Sequence, residues 1–240
     1  MNDLYKIFQS CDGVSIDSRT IQPNALFIAL AGDHYDGHHY VQAAFNKGAS
    51  YALIDNPKFK LDSRCILVEH TLTALQQLAQ YHRNQLHNTT VIAIVGSNGK
   101  TTTKNLIATT LESYYKTSFT QGNLNNHIGV PLTLLSVASD SQFAVIEMGA
   151  NHPGEHQFLC SLAQPHFGLI TNCGHDHLEG YGSLDGVIDA NTELYDYLQA
   201  TSGTAFVNYD DATLYARSKN LSVCYYSQSS DPSAQLSVTG

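Results

Sequence analysis

Residues 96–102 read Gly-Ser-Asn-Gly-Lys-Thr-Thr, directly after the apolar run 91–95 and directly before a helical pattern. Gly96 and Gly99 allow the backbone to turn tightly enough for its N–H groups to converge on phosphate oxygens, and a helix N-terminus adds partial positive charge. Lys100 supplies a full charge and Thr101 a hydroxyl suited to Mg2+. The general phosphate-loop pattern has a glycine six residues before the lysine. Here that position is Ile94, so the loop is the shorter Gly-x-x-Gly-Lys-Thr form. A glycine turn that binds nothing could share this composition; the order strand, turn, Lys-Thr, helix favours a nucleotide. Gly96, Ser97, Asn98, Gly99, Lys100, Thr101 and Thr102 are therefore the candidate ATP-binding residues.

Further candidates stand where other apolar runs end. The run 143–148 closes with Glu147, which is either a magnesium-holding carboxylate or a solvent-facing strand terminus. The run 167–171 opens into Cys173-Gly-His-Asp-His-Leu-Glu-Gly, crowding His175, Asp176, His177 and Glu179 into five residues. A histidine there suits a second-metal ligand or a charge stabiliser. The stretch 122–131, Gly-Asn-Leu-Asn-Asn-His-Ile-Gly-Val-Pro, offers side-chain amides to a polar substrate or is simply a loop. Asp17-Ser-Arg-Thr follows an apolar run, and Asp36-Gly-His-His sits in a loop. Arg19 is suited to bidentate phosphate binding, and turn chemistry explains both segments equally well.

The elements that must position these residues fall into two groups. Over 1–83, short β-rich runs at 14–16, 25–30, 51–55 and 65–69 alternate with helical patterns at 41–47 and 72–82, predicting a small mixed α/β domain. Residues 84–90 read as a linker. From 91 to 240 strands are expected at 91–95, 143–148, 167–171, 205–208 and 223–226, separated by amphipathic helices, with a polar loop over 227–233. Uniformly apolar strands in that rhythm predict an α/β, mainly parallel mononucleotide-binding sheet with ligands at the strands' carboxyl ends. Such sheets usually add further strands, so the expectation is a truncated central domain.

Composition excludes other classes. The 240 residues are 42% hydrophobic and 14% charged, as in ordinary globular proteins. A formal net charge of −9 without a Lys/Arg cluster disfavours nucleic acid. No apolar run approaches the roughly 20 residues of a membrane span, and the first residues lack a secretory pattern, so a cytoplasmic location is expected. Five widely spaced cysteines indicate neither a disulfide framework nor a zinc site, and are expected to be reduced and half-buried. The twelve histidines are mostly scattered, as surface or structural residues are.

Taken together, Gly96-Ser-Asn-Gly-Lys-Thr-Thr, the Asn-rich stretch 122–131, Val145-Ile-Glu-Met-Gly-Ala-Asn-His-Pro-Gly-Glu and His177-Leu-Glu-Gly-Tyr-Gly-Ser closely resemble the Mur ligases of peptidoglycan synthesis. Ser15-Ile-Asp-Ser-Arg-Thr and Ala25-Leu-Phe-Ile-Ala-Leu-Ala-Gly resemble that family's uridine-nucleotide domain, so the likeness covers nearly the whole chain. It implies ATP-driven activation of the carboxylate of UDP-N-acetylmuramoyl-tripeptide as an acyl phosphate, which the amine of D-alanyl-D-alanine then attacks. It also implies that Lys100 and His177 are catalytic, that Thr101 and Glu147 hold one Mg2+ and His177 a second, and that Ser18, Arg19, Asn125 and Asn126 contact the muramoyl substrate.

Two departures follow. Asn191 stands where the family has a carbamylated lysine, leaving Asp189 and Glu193 as the nearby acids. The family also has three domains in a chain near twice this length, and the domain it uses for the adenine and D-alanyl-D-alanine is absent from these residues. Two alternatives remain: a non-catalytic nucleotide-binding or interaction module derived from such a ligase, and a folylpolyglutamate synthase-like ligase. A lysine restored at 191 in a longer chain separates the first from a working enzyme.

Overall fold

Short β-branched strands followed by amphipathic helices leave the chain one economical arrangement, in which parallel strands are covered by helices on their faces. The computed structural model describes residues 1–174, 178–228 and 236–237. They form two units, Met1–Leu86 with Leu134–Ser136, and the described part of His87–Thr133 with Val137–Gly240.

The first unit runs α1 (Asn2–Gln9), β1 (Val14–Ser15), β2 (Leu26–Ile28), β3 (Ala31–Gly32), β4 (Tyr35–Asp36), α2 (Val41–Asn46), β5 (Tyr51–Ile54), β6 (Cys65–Leu67) and α3 (Thr71–Gln85). The sheet order is β1-β2-β5-β6, with every pairing parallel. Phe27, Ala29, Ala52 and Ile54 pack against Val41, Ala44 and Phe45 in the core. β3 and β4 form a small antiparallel hairpin. It leads into a turn at Gly37–Tyr40. There the buried His38 ring lies between Asp36 (2.5 Å) and Asp55 (3.0 Å), and Asp55 in turn accepts from the Thr71 N–H and hydroxyl. Helix α1 has no counterpart in the sequence reading. Leu4 and Phe8 are buried, and Tyr5 and Phe8 meet the rings of Tyr81 and His82 of α3, so this short helix is held by apolar burial together with aromatic contacts.

The second unit runs β7 (Thr90–Val95), α4 (Lys100–Glu112), β8 (Thr117–Phe119), α5 (Gly129–Leu135), β9 (Phe143–Glu147), α6 (Glu155–Ala163), β10 (Phe167–Ile170), α7 (Leu178–Tyr181), α8 (Leu184–Thr201), β11 (Thr204–Asn208), α9 (Ala212–Arg217), β12 (Ser222–Ser227) and β13 (Leu236–Ser237). Its sheet order is β13-β12-β11-β10-β7-β9-β8, parallel throughout. Strand β7 lies between β10 and β9, which places the loop after it at a point where the strand order reverses.

The stretch 84–90 is ordered by neighbours on both sides. Gln85 ends α3, Leu86 is buried, and the Thr89 hydroxyl donates to the Ser141 carbonyl at 2.6 Å. Cys65, on β6 in the core of the first unit, and Cys160, against Met148, are buried rather than half-buried; all five cysteines are free thiols. Among the described residues no helix is long and apolar enough to cross a membrane.

Candidate functional site

The apolar run of β7 ends in a turn that glycine alone permits. Gly96 has φ +128°, and a Cβ there would lie 2.2 Å from the Thr171 hydroxyl. Gly99 caps α4 with φ +80°, where open space surrounds the Cα and only the backbone conformation demands glycine. The N–H groups of Gly99, Lys100, Thr101 and Thr102 open the helix and have no acceptor within it, so they form a ready anion site. The Lys100 ammonium donates to the Ser97 carbonyl at 3.1 Å and to the Gly96 carbonyl, folded back over the loop it follows.

At the end of β9, Glu147 is 2% exposed, which removes the reading of a solvent-facing strand terminus. Its Oε1 accepts from the Thr101 hydroxyl (3.1 Å) and the Asn125 amide (2.9 Å). Its N–H donates to Thr120 Oγ1 at 2.9 Å. Its Oε2 has no hydrogen bond and lies 3.9 Å from the Lys104 ammonium, itself 3% exposed and donating to the Thr120 carbonyl at 2.6 Å. A buried carboxylate with one oxygen free of hydrogen bonds and the other on a threonine hydroxyl is a hard-oxygen donor pair. It fits Mg2+ rather than a softer metal.

Lys104 escaped the sequence reading. It lies four residues before Ala108, on the inward face of α4, a face that the threonine-rich sequence does not mark. Asn172 escaped too, and its signal was a lone amide directly past a strand end.

The other expected residues are placed as follows. Asn126 Oδ1 accepts from the N–H groups of Ile128 (3.1 Å) and Gly129 (2.9 Å), so it caps α5, while Asn125 joins Glu147. His175, Asp176 and His177 lie outside the described residues. Asn191 is buried in α8; its Nδ2 donates to the Val187 carbonyl at 2.9 Å and its Oδ1 has no partner. The nearby acids are engaged elsewhere. Asp189 pairs with Arg217 at 2.6 Å, and Glu193 accepts from Gly154 (2.5 Å) and Gln157 (3.0 Å) at the start of α6. A neutral amide at 191 does not fit an anionic metal ligand. Among the described residues no cluster of three or more His, Cys, Asp or Glu is arranged to hold a metal.

In the first unit, Ser18 is buried and Arg19 exposed at the rim of a cavity of about 370 Å3 lined also by Ile16, Asp17, Phe27, Tyr35, Gly37 and Tyr40. The Arg19 guanidinium grips Asp17 in a fork (Nε to Oδ1 2.9 Å, Nη2 to Oδ2 2.7 Å). Those bonds, with the Arg19 backbone N–H, hold the Asp17 carboxyl at about 2. Two exposed tyrosine rings offer flat apolar surface beside the Arg19 guanidinium, whose charge the Asp17 carboxylate balances, so an anionic ligand would have to compete with Asp17 for it.

Residues 94–238 match the Mur ligase middle domain, and residues 10–83 match the Mur ligase family catalytic domain. The chain is 43% identical over 189 residues to the UDP-N-acetylmuramoyl-tripeptide--D-alanyl-D-alanine ligase of Bacillus subtilis, covering 78% of this chain and 41% of that one. Identity to the same-named ligase of Escherichia coli is 40% over 200 residues, covering 83% and 44%. Among solved structures, MurF from Acinetobacter baumannii superposes with a TM-score of 0.80 at 32% identity, over 94% of this chain and 52% of that one. The MurF ligase of Thermotoga maritima in complex with ADP does so with 0.80 at 26% identity, over 92% and 51%. The chain thus spans less than half the length of these curated relatives.

Proposed function

The chain belongs to the Mur ligase family, and from that premise we propose that it supplies the nucleotide-sugar-binding and ATP-binding parts of an ATP-dependent ligase that joins D-alanyl-D-alanine to UDP-N-acetylmuramoyl-tripeptide in the cytoplasm. Residues 1–83 are the proposed UDP-muramoyl-peptide domain, 84–90 its linker, and 91–240 the ATP domain. The observation that carries this reading is Glu147, buried at the end of β9 and hydrogen-bonded to Thr101 of the phosphate loop. D-alanyl-D-alanine as the second substrate rests on the names of the relatives alone.

In the proposed reaction the γ-phosphoryl group of ATP passes to the tripeptide carboxylate and ADP leaves. The amine then attacks the acyl phosphate, and inorganic phosphate leaves. Catalysis of this kind is chiefly alignment and charge neutralisation. The first-turn N–H groups of α4 would receive the phosphates, and Lys100 would exchange its two carbonyl acceptors for phosphate oxygens. Thr101 and Glu147 would hold Mg2+, which neutralises charge on the transferring group. Asn125 would keep Glu147 Oε1 aimed. Ser18 and Arg19 would meet the uridine nucleotide and Asn126 the muramoyl peptide. His177 is the proposed partner of a second cation, although Asn191 does not fit the anionic ligand such a site would need.

Calorimetric titration of the full chain with Mg2+–ADP and with UDP-N-acetylmuramoyl-tripeptide tests the reading. K100A is expected to weaken ADP at least about tenfold and leave the nucleotide sugar unaffected, with R19A doing the reverse. Failure of the wild-type chain to bind either ligand would sink the proposal. Binding of neither nucleotide sugar nor ADP by a chain that still folds would favour the interaction-module alternative.

A further inference from the structure

Past β10 the chain does not leave the phosphate loop but runs beside it. Thr171 N–H donates to the Val95 carbonyl at 3.0 Å, and Ser97 N–H donates to the Asn172 carbonyl at 2.9 Å, so the parallel pairing of β7 and β10 continues beyond both strands. At Asn172 the side chain takes over from the backbone. Its Oδ1 accepts from Asn98 N–H at 3.1 Å and its Nδ2 donates to the Asn98 carbonyl at 2.9 Å, a two-point grip on one residue of the loop. Gly174 N–H then donates to Ser97 Oγ at 2.8 Å.

The consequences are specific. The N–H groups of Ser97 and Asn98 point at residue 172, so the phosphate-facing donors are those of Gly99 to Thr102. The loop is also held before any ligand arrives, which lowers the ordering cost that binding must meet. We propose that Asn172 is a positioning residue for nucleotide binding, clamping Asn98 so that the first turn of α4 stays aimed at the phosphates. The proposal rests on the adenine-nucleotide reading of the site.

The test uses the full chain as wild type, N172A, N172S and K100A. ADP affinity with Mg2+ is measured by calorimetry, and backbone hydrogen exchange over 95–103 by mass spectrometry without nucleotide. N172A is expected to bind ADP at least about tenfold more weakly and to exchange faster at 97 and 98. A merely structural role would lower the melting temperature while leaving the folded chain's ADP affinity intact. N172S replaces the amide's separate donor and acceptor with a single hydroxyl on a shorter side chain, which cannot make the two-point grip, and decides by the same criteria where N172A does not fold. Binding of ADP within twofold of wild type by a folded variant, with K100A weak, would overturn the clamp. Wild-type chain that binds no ADP, indistinguishable from K100A, would instead overturn the nucleotide reading and the proposal with it.

Discussion

Lys104 and Glu147 form an ion pair buried from solvent at 3% and 2% exposure, and their energetics are those of a pair that neither partner can leave. Removing one charge from such a pair strands the other, which typically costs about 3–5 kcal/mol, whereas removing both costs far less. K104M is therefore expected to lower the stability of the second unit by about 3 kcal/mol or more. The double variant K104M/E147Q should recover much of that loss, as a double-mutant cycle from urea denaturation would show. Strictly additive single effects would mean that the two groups do not interact. Residue types and spacing were enough to single out Lys100, Thr101 and Glu147 as candidates, because a glycine-broken turn and an acid closing an apolar run are local patterns. They could not mark Lys104, since an amphipathic helix gives no sign that a lysine on its inner face has an acid waiting 43 positions away.

The pairing of α6 with α8 carries two further expectations. His156 donates from Nδ1 to the Ala190 carbonyl at 3.0 Å, leaving Nε2 buried and unpartnered. Burial holds its pKa below the usual value of 6.5, with Glu193 opposing and Lys100 adding to the shift. The unfolded chain therefore takes up a proton near pH 6.5 that the folded chain resists. Stability present above that pH is lost as the pH falls below it. Urea midpoints between pH 7.5 and 5.5 should fall more steeply for wild type than for H156F; equal slopes would refute the argument.

Asn191, one helical turn past Val187, satisfies its amide internally and leaves its carbonyl orphaned. N191L removes both groups together and is expected to be neutral or mildly stabilising, while N191D should destabilise by about 2 kcal/mol or more, read as shifts in thermal midpoint. Helices α2 and α3 were legible from periodicity, and α4 from the glycine-broken turn that precedes it. Helix α1 and strand β8 were not: the first is held by apolar burial together with aromatic contacts with α3, and the second is a three-residue edge strand whose partner lies some 26 positions ahead.

At the scale of the whole molecule, the two units predict separate footprints. Mg2+–ADP is expected to slow hydrogen exchange over 90–112 and 171–174, and UDP-N-acetylmuramoyl-tripeptide over 14–40, because each set of residues belongs to a proposed site built within one unit. Protection by ADP confined to 14–40 would reverse the assignment. The amino-acid order was sufficient for two α/β units, a parallel sheet around residues 91–95, a glycine-broken turn from strand to helix and the motifs of the Mur ligases. Each of these is written in periods of two or 3.6 residues or in short runs at a strand end. The burial of Glu147, its joint hold by Thr101, Asn125 and Lys104, and the grip of Asn172 on Asn98 across 74 positions of chain came from elsewhere. Those contacts exist because parallel strands distant in sequence end at the same edge of one sheet, and no local pattern encodes which side chains meet there.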